Sequence, residues 1–491
     1  MNGFHRNLSP RRALVGMVIV GAVCYLAQYL WRASFWHDEA FLVLNVMDKT
    51  AAQLVLGPLD HEQAAPPLFL LALRACYAGL GGSEYSFRLA PLLFSLASLP
   101  IFACLAWRVL GGWLAVWATA LVALSGELSF YAATVKQYSG DVFVACSLLA
   151  IAYAASRPFD VVKRFMLVSL LSALAAWVSH PTVFIFGAIS LSLFPELWKA
   201  SIRGRIAWFA GNAIVSVSFV LLYLLSIRLQ HNPLLFQYWI DKGAFPDYSK
   251  PWTLPAWLVY QLVSVCDNPF QPLGIIVLFL AILGTIAWWR QKQWKLLIAT
   301  LGPIVLTLIA ALLMQFPFKG SRVTLFMTPG LVLLATRGIG MLRPMQFGGR
   351  KGDSFDWRNL PWAAPALLVI WCGALAAFHL FAPQRKSHMR PVVAYLKDHY
   401  QAGDAIYVLG ISRDYEFHTY WRHPPVPIKT GLDFSPDRRP DHPFWIVTGF
   451  NPSKSLRVIA DPLEQARTVA TETEQEIGIG GAAIRFEPRE K

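Results

Sequence analysis

Long uncharged apolar runs recur along this chain of 491 residues, many of them near the ~20 residues a helix needs to cross a bilayer's hydrocarbon core. No soluble globule can bury so many. With 56% apolar and only 15% charged residues, the sequence places most of the chain in lipid. The first run, 13–31, follows Arg6, Arg11 and Arg12, so its flank resembles that of a signal peptide. It is too long for one and lacks a small-residue cleavage site after it, so it reads as a retained first span.

The net charge of +14 is spread over short loops and follows the positive-inside pattern, which excludes a nucleic-acid footprint. An amino terminus in the cytoplasm gives spans near 13–31, 88–107, 113–131, 140–155, 165–179, 182–198, 206–227, 273–289, 296–314, 322–337 and 361–381. The inward loops then hold Arg108, Arg157, Lys163, Arg164, Lys199, Arg203, Arg205, Arg290, Lys292, Lys295, Arg337, Arg343, Arg350, Lys351 and Arg358. Most acids face outward, but Lys and Arg set the orientation. Eleven spans then leave the carboxyl-terminal segment outside, on the face opposite the cytoplasm.

Residues 66–80 are apolar but begin with two prolines and contain Arg74. About 15 residues make some 22 Å of helix, which suits a re-entrant or interfacial segment rather than a span. The first outer loop therefore runs over 32–87, a length that points to function. After 383 the chain becomes mixed and polar. A helix is expected over 389–401 and buried strands over 405–410 and 443–449, with the glycine-rich 348–353 as a flexible inner loop. The expected organisation is a polytopic α-helical domain, 1–383, and a small α/β domain, 384–491. The six cysteines form no C-x-x-C pair and read as small buried hydrophobes; Cys76 with Cys266 is the one pair an oxidising compartment would join, and no disulfide is assigned.

Just past the first span lies Phe-Trp-His-Asp38-Glu39-Ala-Phe. Ionised groups at the lip of an apolar bundle are costly, and they mark catalytic bases, proton relays or ion paths. Further polar clusters fall on the same face: Glu84 and Arg88, then Tyr131 to Asp141 with Lys136, Gln137 and Tyr138, then Ser179-His180-Pro181, then Lys319 and Arg322. Such cations suit a phosphate at the membrane surface, Arg as a bidentate fork and Lys as a point charge. Each residue also has a structural reading. The acid pair suits helix capping, Glu84 and Arg88 an i,i+4 pair, and Lys136 a snorkelling side chain. Arg322 suits a span anchor and His180 a turn.

In order and spacing these elements resemble the GT-C class of membrane glycosyltransferases, which includes the protein O-mannosyltransferases and lipid A aminoarabinose transferases. The matching elements are Asp38-Glu39 in a long first loop, Ala65-Pro66-Pro67-Leu68-Phe69, Glu84 to Arg88-Leu89, Tyr131 to Lys136-Gln137-Tyr138, and Arg322 before Pro329. They cover about the first 340 residues. The resemblance implies a GT-C-like fold of about eleven transmembrane helices and an inverting transfer of sugar from a polyprenyl-phosphate carrier to an envelope glycan, lipid or protein. It makes Asp38 the base, with Glu39 supporting it or a metal. Lys136, Arg88, Arg322 and Tyr138 become the donor-phosphate contacts, and His61, Glu84, Gln137 and His180 support the acceptor or sugar. Tyr238-Trp239 and Trp252 are candidates for a sugar-binding face. Two departures stand out: Thr134-Val135 occupies a stretch where many relatives carry an acid, and Ala65 stands where a histidine is frequent. A divalent metal is therefore left open. The rival readings are a lipid-linked oligosaccharide polymerase or ligase, a transporter or flippase, and a non-catalytic scaffold.

Overall fold

The computed structural model describes residues 9–153, 160–342, 363–410, 413–432, 440–449, 460–478 and 481–489. Arg6, Arg157, Arg343, Arg350, Lys351, Arg358 and the loop 348–353 lie outside them. The chain divides into two compact units. One comprises Met1–Tyr29, Ala51–Ala75 and Arg88–Ala382; the other comprises Leu30–Thr50, Cys76–Phe87 and Pro383–Lys491. The second unit thus takes two pieces of the first long loop along with the carboxyl-terminal segment.

Every expected span carries a helix. Six helices are long and apolar enough to cross a bilayer: Pro10–Leu30, Glu84–Val109, Thr182–Ala200, Ile202–Leu229, Trp294–Leu312 and Ala363–Phe381. Two bent pairs raise the number to eight among the described residues: Gly112–Ala123 with Gly126–Ala132, bent by 55°, and Pro251–Phe270 with Gly274–Arg290, bent by 106°. The first break has a clear cause. Ser125 caps the second helix, its Oγ accepting from Leu128 N–H at 3.4 Å while donating to the Pro269 carbonyl at 2.8 Å.

Three expected spans are shorter helices: Tyr138–Tyr153, Val161–Ala175 and Thr328–Ile339, of 16, 15 and 12 residues. The last begins later than the sequence suggests because Arg322–Met327 winds as a tight 3-10 turn ahead of Pro329. Two of these short helices, Tyr138–Tyr153 and Thr328–Ile339, are mostly buried within their unit, so protein rather than lipid surrounds their polar side chains. The segment expected to be interfacial is a helix over Pro67–Leu80, of 14 residues.

Helices in this unit approach until backbones touch. A Cβ on Gly284 would sit 1.9 Å from the Leu334 carbonyl oxygen, and one on Gly338 would sit 1.9 Å from that of Leu280. Small residues at crossings are the usual device where helices pack in lipid. Cys24, Cys146, Cys266 and Cys372 are buried, whereas Cys104 is exposed.

The second unit is built on a five-stranded sheet in the order β2-β1-β3-β5-β4. Its strands are β1 (Ala405–Val408), β2 (Ile428–Lys429), β3 (Phe444–Gly449), β4 (Ala470–Gly478) and β5 (Gly481–Pro488). β1 runs parallel to both β2 and β3, while β5 pairs antiparallel with β3 and β4. Alternate residues of β3 feed two cores. Phe444 and Ile446 join Leu463, Ala466 and Ile484; Trp445 and Val447 join Val392, Leu396 and Phe417. The helix Met389–His399 lies where the sequence places it. Below the sheet Asp404 Oδ2 accepts from Arg485 Nε and Trp445 Nε1, both at 2.9 Å, so a buried charge is fully paired.

Candidate active site

The acid pair opens the helix His37–Asp48. Glu39 Oε2 accepts from the backbone N–H of Trp36 at 3.4 Å, satisfying a group the helix leaves unbonded. Capping therefore accounts for Glu39, which is 1% exposed, and Asp38 in the same first turn is 9% exposed. The positive end of the helix dipole stabilises both charges.

The carboxyl-terminal part of the same unit meets this helix through the helix Arg413–Tyr420. The Phe35 N–H donates to Tyr420 Oη at 2.6 Å, the rings of Phe41 and Tyr415 meet edge to face at 4.9 Å, and Arg422 pairs with Asp48. Glu416, which the sequence does not single out, is wholly buried. It pairs with Arg413, accepts from Ser387 Oγ and from the His37 backbone, and burial pushes its carboxyl up to about 7. Between Glu416 and Asp38 stands the His37 ring, with Nδ1 3.9 Å from Glu416 Oε1 and Nε2 3.8 Å from Asp38 Oδ1.

Glu84 belongs to this unit as well. Its carboxylate takes Arg32 Nε at 3.0 Å, and Arg390 Nη1 and Tyr420 Oη at 2.9 Å each. A bridging role between loop and carboxyl-terminal segment fits it better than acceptor contact.

The predicted cations lie in the other unit. Lys136 follows a tight turn in which its N–H donates to the Thr134 carbonyl at 2.7 Å, and it is 6% exposed. Its Nζ donates to Gln63 Oε1 at 2.5 Å. Next to it Gln137 Nε2 donates to the Ala64 carbonyl at 3.4 Å, while the Gln230 side chain bonds both backbone groups of Ala65. The loop before Pro66-Pro67 is thus pinned beside Lys136. Tyr138 starts the next helix; its ring meets Tyr131 edge to face at 5.2 Å, and the Arg322 guanidinium lies 6.0 Å from the ring centre. Arg88 is 3% exposed on the helix Glu84–Val109. Lys136, Gln137, Tyr138 and Arg322 therefore share one polar neighbourhood, joined by Gln63 and Gln230. Those two glutamines are not distinctive in sequence, because a lone amide has no motif.

The histidines divide. His61 sits in a turn with φ of 61°, and its carbonyl accepts from Gln63 Nε2 at 3.0 Å, so its backbone shapes the loop that serves Lys136. Burial lowers His180 to about 4, so its imidazole is neutral, and its Nε2 is buried without a partner. Tyr238 and Trp252 are 41% and 74% exposed, as residues of an interfacial belt are. Among the described residues no group of three or more His, Cys, Asp or Glu is placed to hold a metal ion.

No protein-family model matches the sequence, and no curated protein does. Solved structures with the same fold include ArnT from Cupriavidus metallidurans bound to undecaprenyl phosphate. It has a TM-score of 0.54 and 13% identity, over 96% of this chain and 97% of that one. The archaeal oligosaccharyltransferase AglB from Archaeoglobus fulgidus, in complex with an inhibitory peptide and a dolichol-phosphate, gives 0.50 at 8% identity, covering 96% and 74%. The arabinofuranosyltransferase AftD from Mycobacteria gives 0.51 at 12% identity, covering 98% of this chain and 40% of its own. All three are GT-C glycosyltransferases, so the resemblance read from the sequence holds at the level of fold. Identity this low speaks for architecture; function has to be argued from the site.

Proposed function

We propose that a chain of this fold is a multi-pass glycosyltransferase that moves a sugar from a polyprenyl-monophosphate carrier to an envelope glycan, lipid or protein. The proposed setting is the periplasmic side of a bacterial inner membrane, with the amino terminus in the cytoplasm. The observation that carries the reading is the fold shared along 96% of the chain with a structure bound to undecaprenyl phosphate. The basic residues of the loops read as inward support the orientation.

The chemistry asks little of the protein beyond a base and cations. The acceptor hydroxyl attacks the anomeric carbon from the face opposite the phosphate, and the bond from that carbon to the phosphate oxygen breaks. The product is inverted and the carrier leaves as polyprenyl phosphate. Asp38 takes the hydroxyl proton, and Glu39 fixes the helix turn that presents it. Arg88, Lys136 and Arg322 offset the charge that grows on the departing phosphate, with Tyr138 beside Arg322. The burial of Arg88 and Lys136, and the partial burial of Arg322, strengthen each contact relative to water. Gln63 and Gln137 hold the Lys136 loop, and Glu84 ties the first loop to the carboxyl-terminal segment.

A strain lacking this chain tests the reading. Mass spectrometry should find a polyprenyl monophosphate sugar accumulating, with the matching modification lost from the envelope. Accumulation of a diphosphate-linked oligosaccharide would instead indicate a ligase, and unchanged carrier lipids with lost solute uptake would indicate a transporter.

A further inference from the structure

A base that gains a proton in every turnover must also release it. Asp38 is largely buried, whereas the side chain of its neighbour His37 is 40% exposed. His37 sets its two ring nitrogens against two carboxylates, Nε2 toward Asp38 and Nδ1 toward Glu416, at 3.8 and 3.9 Å. Glu416 is far from them in sequence and fixed on three sides, by Arg413, Ser387 and the His37 N–H. Lys386 Nζ lies 4.1 Å from the centre of the Trp36 ring, and that ring meets His37 edge-on at 4.9 Å.

We propose that His37 carries the proton away from Asp38 and that Glu416 is the positioning residue that keeps His37 in the tautomer able to do so. This rests on the assignment of Asp38 as base. Glu416 Oε1 accepts Nδ1–H, which leaves the Nε2 lone pair turned to Asp38. The protonated Asp38 gives its proton to Nε2, and the ring becomes an imidazolium between two carboxylates. Nε2–H then yields the proton to water. One proton enters from the acceptor and one leaves to solvent, and both side chains return to their starting forms. Each gap shortens by about 1 Å to reach hydrogen-bond length, as catalytic contacts commonly do when substrate binds. The soluble part of the chain is on this account a working component of the transferase.

The test uses the full chain in proteoliposomes, with a polyprenyl monophosphate sugar as donor. Nitrogen NMR of labelled histidine, with the His37 signals identified by their loss in His37→Asn, should show the Nδ1–H form in the wild type and a mixture in Glu416→Gln. Turnover by Glu416→Gln should fall tenfold or more with the donor KM unchanged. His37→Ala should be as slow and should recover in part when imidazole is added, a rescue that a purely structural role does not permit. An unaltered tautomer in Glu416→Gln, or a His37→Ala enzyme that imidazole does not help, overturns the proposal while leaving Asp38→Asn inactive. If the wild type transfers no sugar, the glycosyltransferase reading fails first. The tautomer spectra then still decide whether Glu416 governs His37.

Discussion

Glu84 Oε1 lies 2.9 Å from Arg390 Nη1 although 306 residues separate the two in sequence. The carboxylate is 2% exposed and also receives Arg32, while the arginines keep 34% and 42% of their side-chain surface in solvent. Much of the attraction is therefore screened. Removing the charge by Glu84→Gln should cost about 2 kcal/mol, the scale of a buried hydrogen bond to a charged group. Faster limited proteolysis of the carboxyl-terminal segment in detergent should report it, and an unchanged cleavage rate would show that Glu84 holds nothing.

Lys136→Ala should raise the apparent KM for the lipid donor about tenfold, equivalent to roughly 1.4 kcal/mol of lost phosphate contact. Lys136→Arg should keep part of that affinity because it keeps the charge. The check is donor titration at saturating acceptor, and an unaltered donor dependence would remove Lys136 from the site.

Burial raises the Glu416 carboxyl from its ordinary 4.5 to about 7. A group whose folded form holds its proton more tightly favours the folded state at low pH. Its contribution is complete below about 4.5 and is lost as pH climbs through about 7. Glu416→Gln should flatten this part of the stability profile, measured as melting temperature against pH between 4.5 and 8. A slope identical to wild type would assign it to other groups.

Gly284→Ala should reduce the yield of folded protein by forcing apart the helices Gly274–Arg290 and Thr328–Ile339. The added carbon would lie 1.9 Å from the Leu334 carbonyl, and such overpacking costs roughly 1–3 kcal/mol. A normal size-exclusion profile and melting temperature would mean the crossing can relax.

The parts of this architecture visible in the sequence are those whose cause is local. Apolar runs locate the spans, and β1 and β3 read as strands because both their faces are buried, which makes them continuous apolar segments. β4 escapes notice because an edge strand with the sequence Ala-Thr-Glu-Thr-Glu-Gln-Glu-Ile-Gly needs no apolar face of its own. The bends near Ser125 and after Phe270 are set by packing and capping, and no run of hydropathy encodes them. At the candidate site Asp38, Glu39 and Lys136 stand out because charge beside lipid is rare. Glu416 does not, since its burial depends on meeting a helix that begins 379 residues earlier in the chain, a relation that one sequence cannot display.

The base assignment is tested most directly by the transfer of labelled sugar from a polyprenyl monophosphate in proteoliposomes containing wild type or Asp38→Asn. The wild type should give inverted product and released polyprenyl phosphate, and Asp38→Asn none above background, although that variant still folds and binds the carrier. Asp38→Asn turning over at the wild-type rate would contradict the assignment.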